Sequence, residues 1–501
     1  MTGSLALKLK EAAGTVIPSL TPASATVAEE VATRLSQPLT VAVAGRLSAG
    51  KSTLVNALIG QRVAPTAAGE CTRVVTRFRY GPADRIEIVD KSGARHPVPF
   101  DADHMIPASL PLPADEIDHI DVQLASGILQ NLNVVDTPGL QSLNQDISRK
   151  TTDALIDAPF SEATDEDSRS AVASAEAIIY VFTQAVKADD IETLEAFSSA
   201  SRSVQGTPLN SLALFNKIDK LSPEPGSDPW PVATPLAAEQ LALLRRVVCD
   251  IVPIVGLLAE TAEAGLFTAA DGEALRALAG MDDTQLTLLT ASTELFQNRP
   301  APVDGSVRSR LLERLDLYGI HFAIAQLKHN PRMSTGELVR LLTAASGLPR
   351  LRSTLQQVFA ARADVIKAGW GLARLRTQAA RAGESDRDIL NNLIEDIVAD
   401  PAYHRLKVLQ AAGSITSGHI RLDPAMEAEA ARLALSSDPE KILAMPGAPT
   451  EKLAAAAIAA AGRWRAFANG AATPPQARVA NEMVRGFSLL ARGLRDTAGK
   501  A

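Results

Sequence analysis

Residues Gly45-Arg46-Leu47-Ser48-Ala49-Gly50-Lys51-Ser52 satisfy the pattern G-x-x-x-x-G-K-[ST] and stand between two segments of different periodicity. Residues 39–44 form a continuous apolar run, which reads as a strand covered on both faces, and residues 53–59 have helical spacing. A strand, a glycine-bearing loop and a helix in this order commit the chain to an α/β fold around an anion site. Gly45 and Gly50 let the backbone curl, so that the N–H groups from Ala49 through Lys51 and Ser52 to Thr53 converge on phosphate and add to the positive end of the helix. Lys51 is expected to reach the β- and γ-phosphates, and the Ser52 hydroxyl to supply one ligand to Mg²⁺.

Two further motifs follow in order. Asp136-Thr137-Pro138-Gly139 closes another buried run and has the form D-x-x-G. Its Asp136 can hold the water shell of Mg²⁺ and its Gly139 N–H can sense a γ-phosphate. Asn216-Lys217-Ile218-Asp219 follows the apolar run 211–215. The Asp219 carboxylate can accept hydrogen bonds from N1–H and the 2-amino group of guanine, donors that adenine lacks, and a buried carboxylate left unpaired rejects the wrong base. Each motif alone is also what a turn after a strand looks like. Their order after a well-placed phosphate loop points to GTP/GDP and Mg²⁺ as the cofactors.

The segment 65–73, rich in small residues and hydroxyls, suits a switch that orders around a γ-phosphate. Thr72 is the chosen third metal ligand and, with Lys51, a catalytic residue; Thr66 and Thr76 are the alternatives, and an ordinary loop threonine is another. Gly256, at the end of the run 251–255, falls where a base-capping backbone would lie, though a strand end without a ligand role reads equally well.

With 501 residues the chain is too long for one core, and 46% hydrophobic and 21% charged residues are those of ordinary globular domains. Cys71 and Cys249 are the two cysteines and have no metal-ligand spacing, which fits a reducing, cytoplasmic setting. The N-terminal stretch is broken by Lys8 and Lys10, against a secretory signal. No apolar run approaches the ~18 to 20 residues of a membrane span. A net charge of −7 gives no general attraction to phosphate backbones, so no nucleic-acid partner is expected, and a ribosome-associated GTPase, which should carry a basic RNA-binding module, is disfavoured.

Val27, Val31 and Leu35 recur at helical spacing ahead of the first strand. Further strand-like runs fall at 85–89, 120–124, 132–135 and 177–182, with helical patterns such as 191–197 between them, and 161–169 reads as a solvated acidic loop. Beyond about residue 259 strand signals give way to helical ones, ending in a segment whose Val479, Met483, Phe487, Leu490 and Leu494 share a face. The expected division is an N-terminal helix or helices over 1–38, an α/β P-loop GTPase domain with a mostly parallel sheet over 39–360 carrying a helical elaboration at about 259–330, and an all-α helical bundle neck over 361–501.

The stretch GRLSAGKSTLVNALIG from Gly45 to Gly60, then Ala64-Pro65-Thr66, Glu70-Cys71-Thr72 and VVDTPGL, resembles the bacterial dynamin-like GTPases. The long interval from Lys51 to Asp136 is similar to theirs and unlike that of small Ras-like GTPases. In length, phosphate loop and the stretch Ser346-Gly347-Leu348-Pro349 with a following helix over 351–375, the chain looks most like the mycobacterial isoniazid-inducible, IniC-like group.

That resemblance implies GTP hydrolysis coupled to membrane remodelling or maintenance through nucleotide-dependent self-association. It also implies a homodimer formed through G domains, and peripheral contact at the inner face of the plasma membrane, with a larger dynamin-like paralogue as a further partner. Ser48 matches the family's phosphate-loop serine and so joins the nucleotide-binding and catalytic residues. Two residues depart from known devices: Leu140 stands where Ras-like enzymes place a water-orienting Gln, and Leu47 where the eukaryotic family has a Gln. Turnover is therefore expected to be slow unless a second G domain or a partner completes the site. The rival reading is a GTP-gated scaffold with negligible hydrolysis that recruits the larger partner. For membrane contact the candidate is Arg463-Trp464-Arg465-Ala466-Phe467, whose other reading is a bundle helix with Trp464 inside and its arginines extended outward.

Overall fold

β1 (Leu39–Gly45) is apolar along its length because both its faces are covered. Val41 and Val43 point into one core and Ala42 and Ala44 into another, the period-two alternation of a strand at the middle of a sheet. In the computed structural model, which describes residues 4–66, 74–138, 175–200, 210–221, 226–359, 362–436, 438–470 and 472–498, this strand lies inside a nine-stranded sheet. The expected Thr72 and Gly139, with Leu140 and the acidic loop 161–169, fall outside the described residues.

The other strands are β2 (Thr76–Tyr80), β3 (Arg85–Asp90), β4 (Arg95–Val98), β5 (Ile117–Leu124), β6 (Leu132–Asp136), β7 (Ala177–Phe182), β8 (Ser211–Asn216) and β9 (Ile251–Ile254). Their order across the sheet is β4-β3-β5-β2-β6-β1-β7-β8-β9. β6, β1, β7, β8 and β9 run parallel. β2 is antiparallel to β6 and parallel to β5, and β3 is antiparallel to both β5 and β4. The sheet is mostly parallel, and in its parallel half the carboxyl ends of β6, β1, β7, β8 and β9 share one edge.

Two strands carry no run legible in the sequence. β2 reads Thr-Arg-Phe-Arg-Tyr and sends Phe78 into the core, while Arg79 on its other face pairs with Asp121. Asp121 also meets Arg95 at 3.1 Å, and Arg95 meets Glu87 at 2.8 Å, so a ladder of charges covers this part of the sheet instead of a helix face. β4 is an edge strand and tolerates Pro97, which has no N–H to donate.

Three cores organise the helices. Beneath the Val41 and Val43 face lie Leu54, Val55 and Leu58 of the helix Lys51–Ile59 and Leu348, Leu351 and Leu355 of the helix Leu348–Val358. Against the opposite face, Phe182 and Phe215 stack with centroids 5.1 Å apart, and their core runs on through Leu275, Phe296, Leu311, Ile320 and Leu342 of the helices that follow β9. A third core, built only from helices, joins Leu5, Leu9, Val31 and Leu35 to Leu372, Leu375, Leu393, Trp464 and Phe487. Two N-terminal helices, Leu5–Val16 and Pro22–Ser36, enter it. Where one helix was expected over 351–375, Leu348–Val358 and Ala363–Arg381 are separate: Phe359 is fully buried under the sheet, while Val365, Ala368 and Leu372 belong to the helical core.

The sheet and the helical core meet at a small polar junction. Arg34 Nε donates to Glu176 Oε1 at 2.8 Å and the Thr40 N–H donates to Glu176 Oε2 at 2.6 Å. The Arg34 guanidinium lies 4.2 Å over the Trp370 ring. Lys367 Nζ caps the end of the helix Pro22–Ser36 by donating to the Leu35 carbonyl at 2.7 Å and to that of Gln37.

No helix among the described residues is long and apolar enough to cross a membrane. At the candidate membrane tip Trp464 is fully buried, its Nε1–H donating to Glu429 Oε2 at 2.6 Å, and Arg463 pairs with the same carboxylate. The indole is therefore part of the bundle core and not presented to a bilayer. Trp464→Ala should lower stability by about 3 to 5 kcal/mol in denaturant unfolding; a tip residue exposed to lipid would leave the midpoint unchanged.

Candidate nucleotide site

β1 ends so close to β7 that a Cβ on Gly45 would lie 2.2 Å from the Val181 carbonyl oxygen, and with φ at 148° this position requires glycine. The chain then turns, the Ala49 N–H donating to the Arg46 carbonyl at 3.2 Å and Ser48 taking a φ of 58°. Gly50, at φ 89°, is the N-cap of the helix Lys51–Ile59, so the free N–H groups of the first helical turn, Lys51 to Thr53, point out of the loop. Lys51 is buried and its Nζ donates to the Arg46 carbonyl at 3.1 Å. Burial pushes the Lys51 ammonium below its usual pKa, with Asp136 opposing the shift.

Asp136 closes β6 in register with Val43 of β1, which places it beside the loop. Ser52 Oγ donates to Asp136 Oδ2 at 2.8 Å, while Oδ1 is buried and has no hydrogen-bond partner among the described residues. A hydroxyl, a carboxylate oxygen in need of a partner and a buried lysine fit a hydrated Mg²⁺ bound with a phosphate chain. Burial raises the Asp136 pKa from 3.8 to about 6, against the pull of Lys51 and the Ser52 hydrogen bond. Thr137 fixes the turn beyond it, its Oγ1 donating to the Val43 carbonyl at 3.0 Å. Of the switch threonines, Thr66 is exposed at the end of a described segment, and Thr76 opens β2, buried and paired opposite Asp136.

On the far side Asn216 is buried and engaged through both its amide nitrogen and its oxygen. Its Nδ2 donates to the Ala49 carbonyl at 2.9 Å, and its Oδ1 accepts from the Gly256 N–H at 2.9 Å and the Lys217 N–H at 2.8 Å. A Cβ on Gly256 would lie 2.8 Å from that oxygen, so the loop after β9 can approach only as glycine. Lys217 adopts φ 58°, which turns the chain into the short helix Ile218–Lys220. Asp219 sits there with its carboxyl pushed above its usual pKa, first by burial and further by Asp316, with Lys220 opposing.

Gly45, Ser48, Ala49, Gly50, Lys51, Ser52, Thr53 and Asp136 thus come together with Asn216, Lys217, Asp219 and Gly256 at the carboxyl edge of the parallel strands. The Gly256 N–H is engaged by Asn216, so this residue supports the loop through its amide. Three contacts around the site escaped the sequence. Arg46 pairs with the buried Asp190 at 2.9 and 3.2 Å, and Tyr180 donates to the same carboxylate at 2.6 Å. Asn56 holds the Val63 and Ala64 N–H groups at 3.0 and 2.8 Å and donates to Glu260 at 2.7 Å. Lys220 reaches Asp316. An arginine at a free position of the loop motif was the only local sign of the first; Asn56–Glu260 and Lys220–Asp316 join residues far apart in sequence.

Residues 41–207 match the model of the dynamin family. The isoniazid-induced protein IniC of Mycobacterium tuberculosis is 31% identical over 444 residues, which span 82% of this chain and 85% of that protein. A bacterial dynamin-like protein of Nostoc punctiforme is 31% identical over 112 residues, 20% of this chain and 16% of its own. Among solved structures, one described as an oligomerised bacterial dynamin pair for the long-range sensing and tethering of membranes aligns at a TM-score of 0.29 and 12% identity, covering 99% of this chain and 77% of its own.

Because the folded pKa of Asp136 lies above its ordinary 3.8, the stability linked to it is complete below about pH 4 and lost as pH rises through about 6. Measured without nucleotide, Asp136→Asn should therefore be more stable than the parent at pH 7.5 by roughly 1 to 3 kcal/mol. Urea midpoints of the two proteins should converge at pH 4.

Proposed function

The chain belongs to the dynamin family, and from that premise we propose that it binds GTP with Mg²⁺ and hydrolyses it to GDP and phosphate. The observation that carries this reading is Asn216, whose side chain draws the phosphate loop at Ala49 and the loop at Gly256 together beside Asp219. Phosphate and base subsites then face one another at the carboxyl ends of parallel strands, where open α/β sheets bind nucleotides. In this reading the backbone amides of Ala49 to Thr53 and Lys51 hold the phosphates, the Ala49 N–H and the Lys51 ammonium exchanging the Arg46 carbonyl for them, and Asp219 reads guanine. Ser52 and Asp136, joined by Thr72 when the switch closes, would hold the Mg²⁺, which neutralises charge on the β- and γ-phosphates.

Hydrolysis needs a group that orients water, and the two places where one would be sought carry Leu140 and the exposed Leu47. Self-association of G domains across the nucleotide, with Ser48 near the reacting phosphate, is the route proposed for completing the site. The reading divides the chain into neck helices at 1–38, a G domain at 39–360 with a helical elaboration at about 259–330, and a neck bundle at 361–501. The junction at Glu176 would carry nucleotide-dependent motion between them toward membrane remodelling or maintenance at the inner face of the plasma membrane. A larger dynamin-like partner remains part of the proposal. Leu47 and Leu140 also favour a second reading, a GTP-gated scaffold with negligible turnover.

Phosphate release from GTP, with ATP as control and Lys51→Ala as blank, should be GTP-selective and rise more than linearly with protein concentration. Addition of liposomes should raise it further if the membrane role holds. Tight GTP binding with turnover equal to the blank would establish the scaffold instead.

A further inference from the structure

Asp316 interrupts the helix Gly305–His329 with φ 51° and ψ 179°, a backbone region that only glycine enters without strain. Four other non-glycine residues among the described ones have positive φ, and two of them, Ser48 and Lys217, belong to the nucleotide site. The strained turn brings the Asp316 carboxylate to the same place. Its Oδ2 accepts from Lys220 Nζ at 2.5 Å, and its Oδ1 accepts from the Leu317 N–H at 2.6 Å, which starts the second half of the helix. Lys220 directly follows Asp219, and its ammonium is 3.9 Å from the Asp219 carboxylate. Two carboxylates thus compete for one ammonium, and the geometry gives it to Asp316.

The division matters because the two acids differ in exposure. The Asp219 side chain is 8% exposed and that of Asp316 24%, while Lys220 is 56% exposed and its ammonium lies 3.9 Å from the first carboxylate and 2.5 Å from the second. Lys217 also acts on the Asp219 carboxylate, but Lys220 is the cation 3.9 Å from it, and a largely buried carboxylate draws such a neighbour in unless something else holds it. An ammonium closed onto Asp219 would cover the oxygens that guanine N1–H and the 2-amino group must reach, and any base would first have to displace it.

We propose that Asp316, supplied by the helical elaboration, is a positioning residue of the guanine site: it draws Lys220 away from Asp219 and so leaves that carboxylate open to read the base. The inference rests on the proposed role of Asp219 and adds a residue of another segment to base selection. It also gives the strain a purpose, since an unbroken helix would carry no side chain at this point from that backbone position.

The test is the affinity of the full chain for GTP and ATP in Asp316→Gly and Asp316→Asn, alone and combined with Lys220→Ala. Glycine relaxes the backbone, so its melting temperature should not fall, yet GTP should bind about two- to fivefold more weakly at low salt, as expected for one exposed ion pair. The loss should shrink as salt screens the charges, and the preference for GTP over ATP should fall with it. Asp316→Asn keeps the hydrogen bond to Leu317 and should weaken GTP in the same way. In the Lys220→Ala background neither substitution should weaken GTP binding, since what Asp316 then exerts on Asp219 is repulsion alone. A GTP-selective parent whose Asp316 variants bind GTP as tightly as it does, or lose as much affinity without Lys220 as with it, overturns the proposal alone. A parent that does not prefer GTP overturns the reading of Asp219 and this inference together.

Discussion

The site depends on one buried amide. Asn216 stands at the end of β8, where its donor and its acceptor reach loops on either side: the Ala49 carbonyl after β1 and the Gly256 N–H after β9. A side chain with both functions is needed, because a carboxylate would repel the Ala49 carbonyl and an alkyl group would leave two buried backbone groups unpaired. Neighbouring glycines exist to let it in, since Cβ atoms on Gly50 or Gly256 would fall 2.4 and 2.8 Å from it. The glycines of the phosphate loop are thus required by the packing against β7 and β8 as much as by any anion.

A second constraint lies at the opposite edge of the sheet. Glu176 is buried, and its two oxygens are divided between Arg34 of the N-terminal helix and the Thr40 N–H at the start of β1. Burial lowers the Lys367 pKa, with Glu176 and Asp364 opposing, yet the lysine is held by the carbonyls of Leu35 and Gln37. Buried charges of this kind contribute little net stability but specify geometry, because any other arrangement leaves a charge unpaired. Here they fix where the helices Pro22–Ser36 and Ala363–Arg381 meet the start of β1. Glu176 immediately precedes β7, whose next-strand neighbour β1 ends in the phosphate loop, so the junction and the candidate site are tied to the two ends of the same pair of strands.

How much of this was legible follows from whether the signal is local. β1, β7 and β8 read as uninterrupted apolar runs because both faces of each are covered, and the loop motif is contiguous, so the fold class and most of the site could be named from the chain alone. β2 could not, since Arg77 and Arg79 break its pattern, and the acids that face them, Asp118 and Asp121, are brought in from β5. The partners of Arg46, Asn56 and Lys220 lie 144, 204 and 96 residues away, and no periodicity connects them. Trp464 shows the converse: an Arg-Trp-Arg stretch has two readings in sequence, and only the position of Glu429 decides between them.

These distant contacts have a common direction. Asp190 follows β7, Glu260 follows β9 and Asp316 lies in the long helix beyond, and each reaches back to the phosphate loop, its helix or the guanine motif. The core behind them is continuous, since Phe215 of β8, Leu258 beside Glu260 and Leu315 beside Asp316 belong to one apolar cluster. Helices after β9 therefore cannot shift as a body without disturbing the loops that line the site. Glu260 meets Asn56, and Asn56 in turn holds Val63 and Ala64 at the entrance to the expected switch, so a displacement at the base end would reach the switch through two hydrogen-bonded side chains. The helices after β9 are thereby a structural part of the candidate nucleotide site, and their packing is tied to it as well as to their own core.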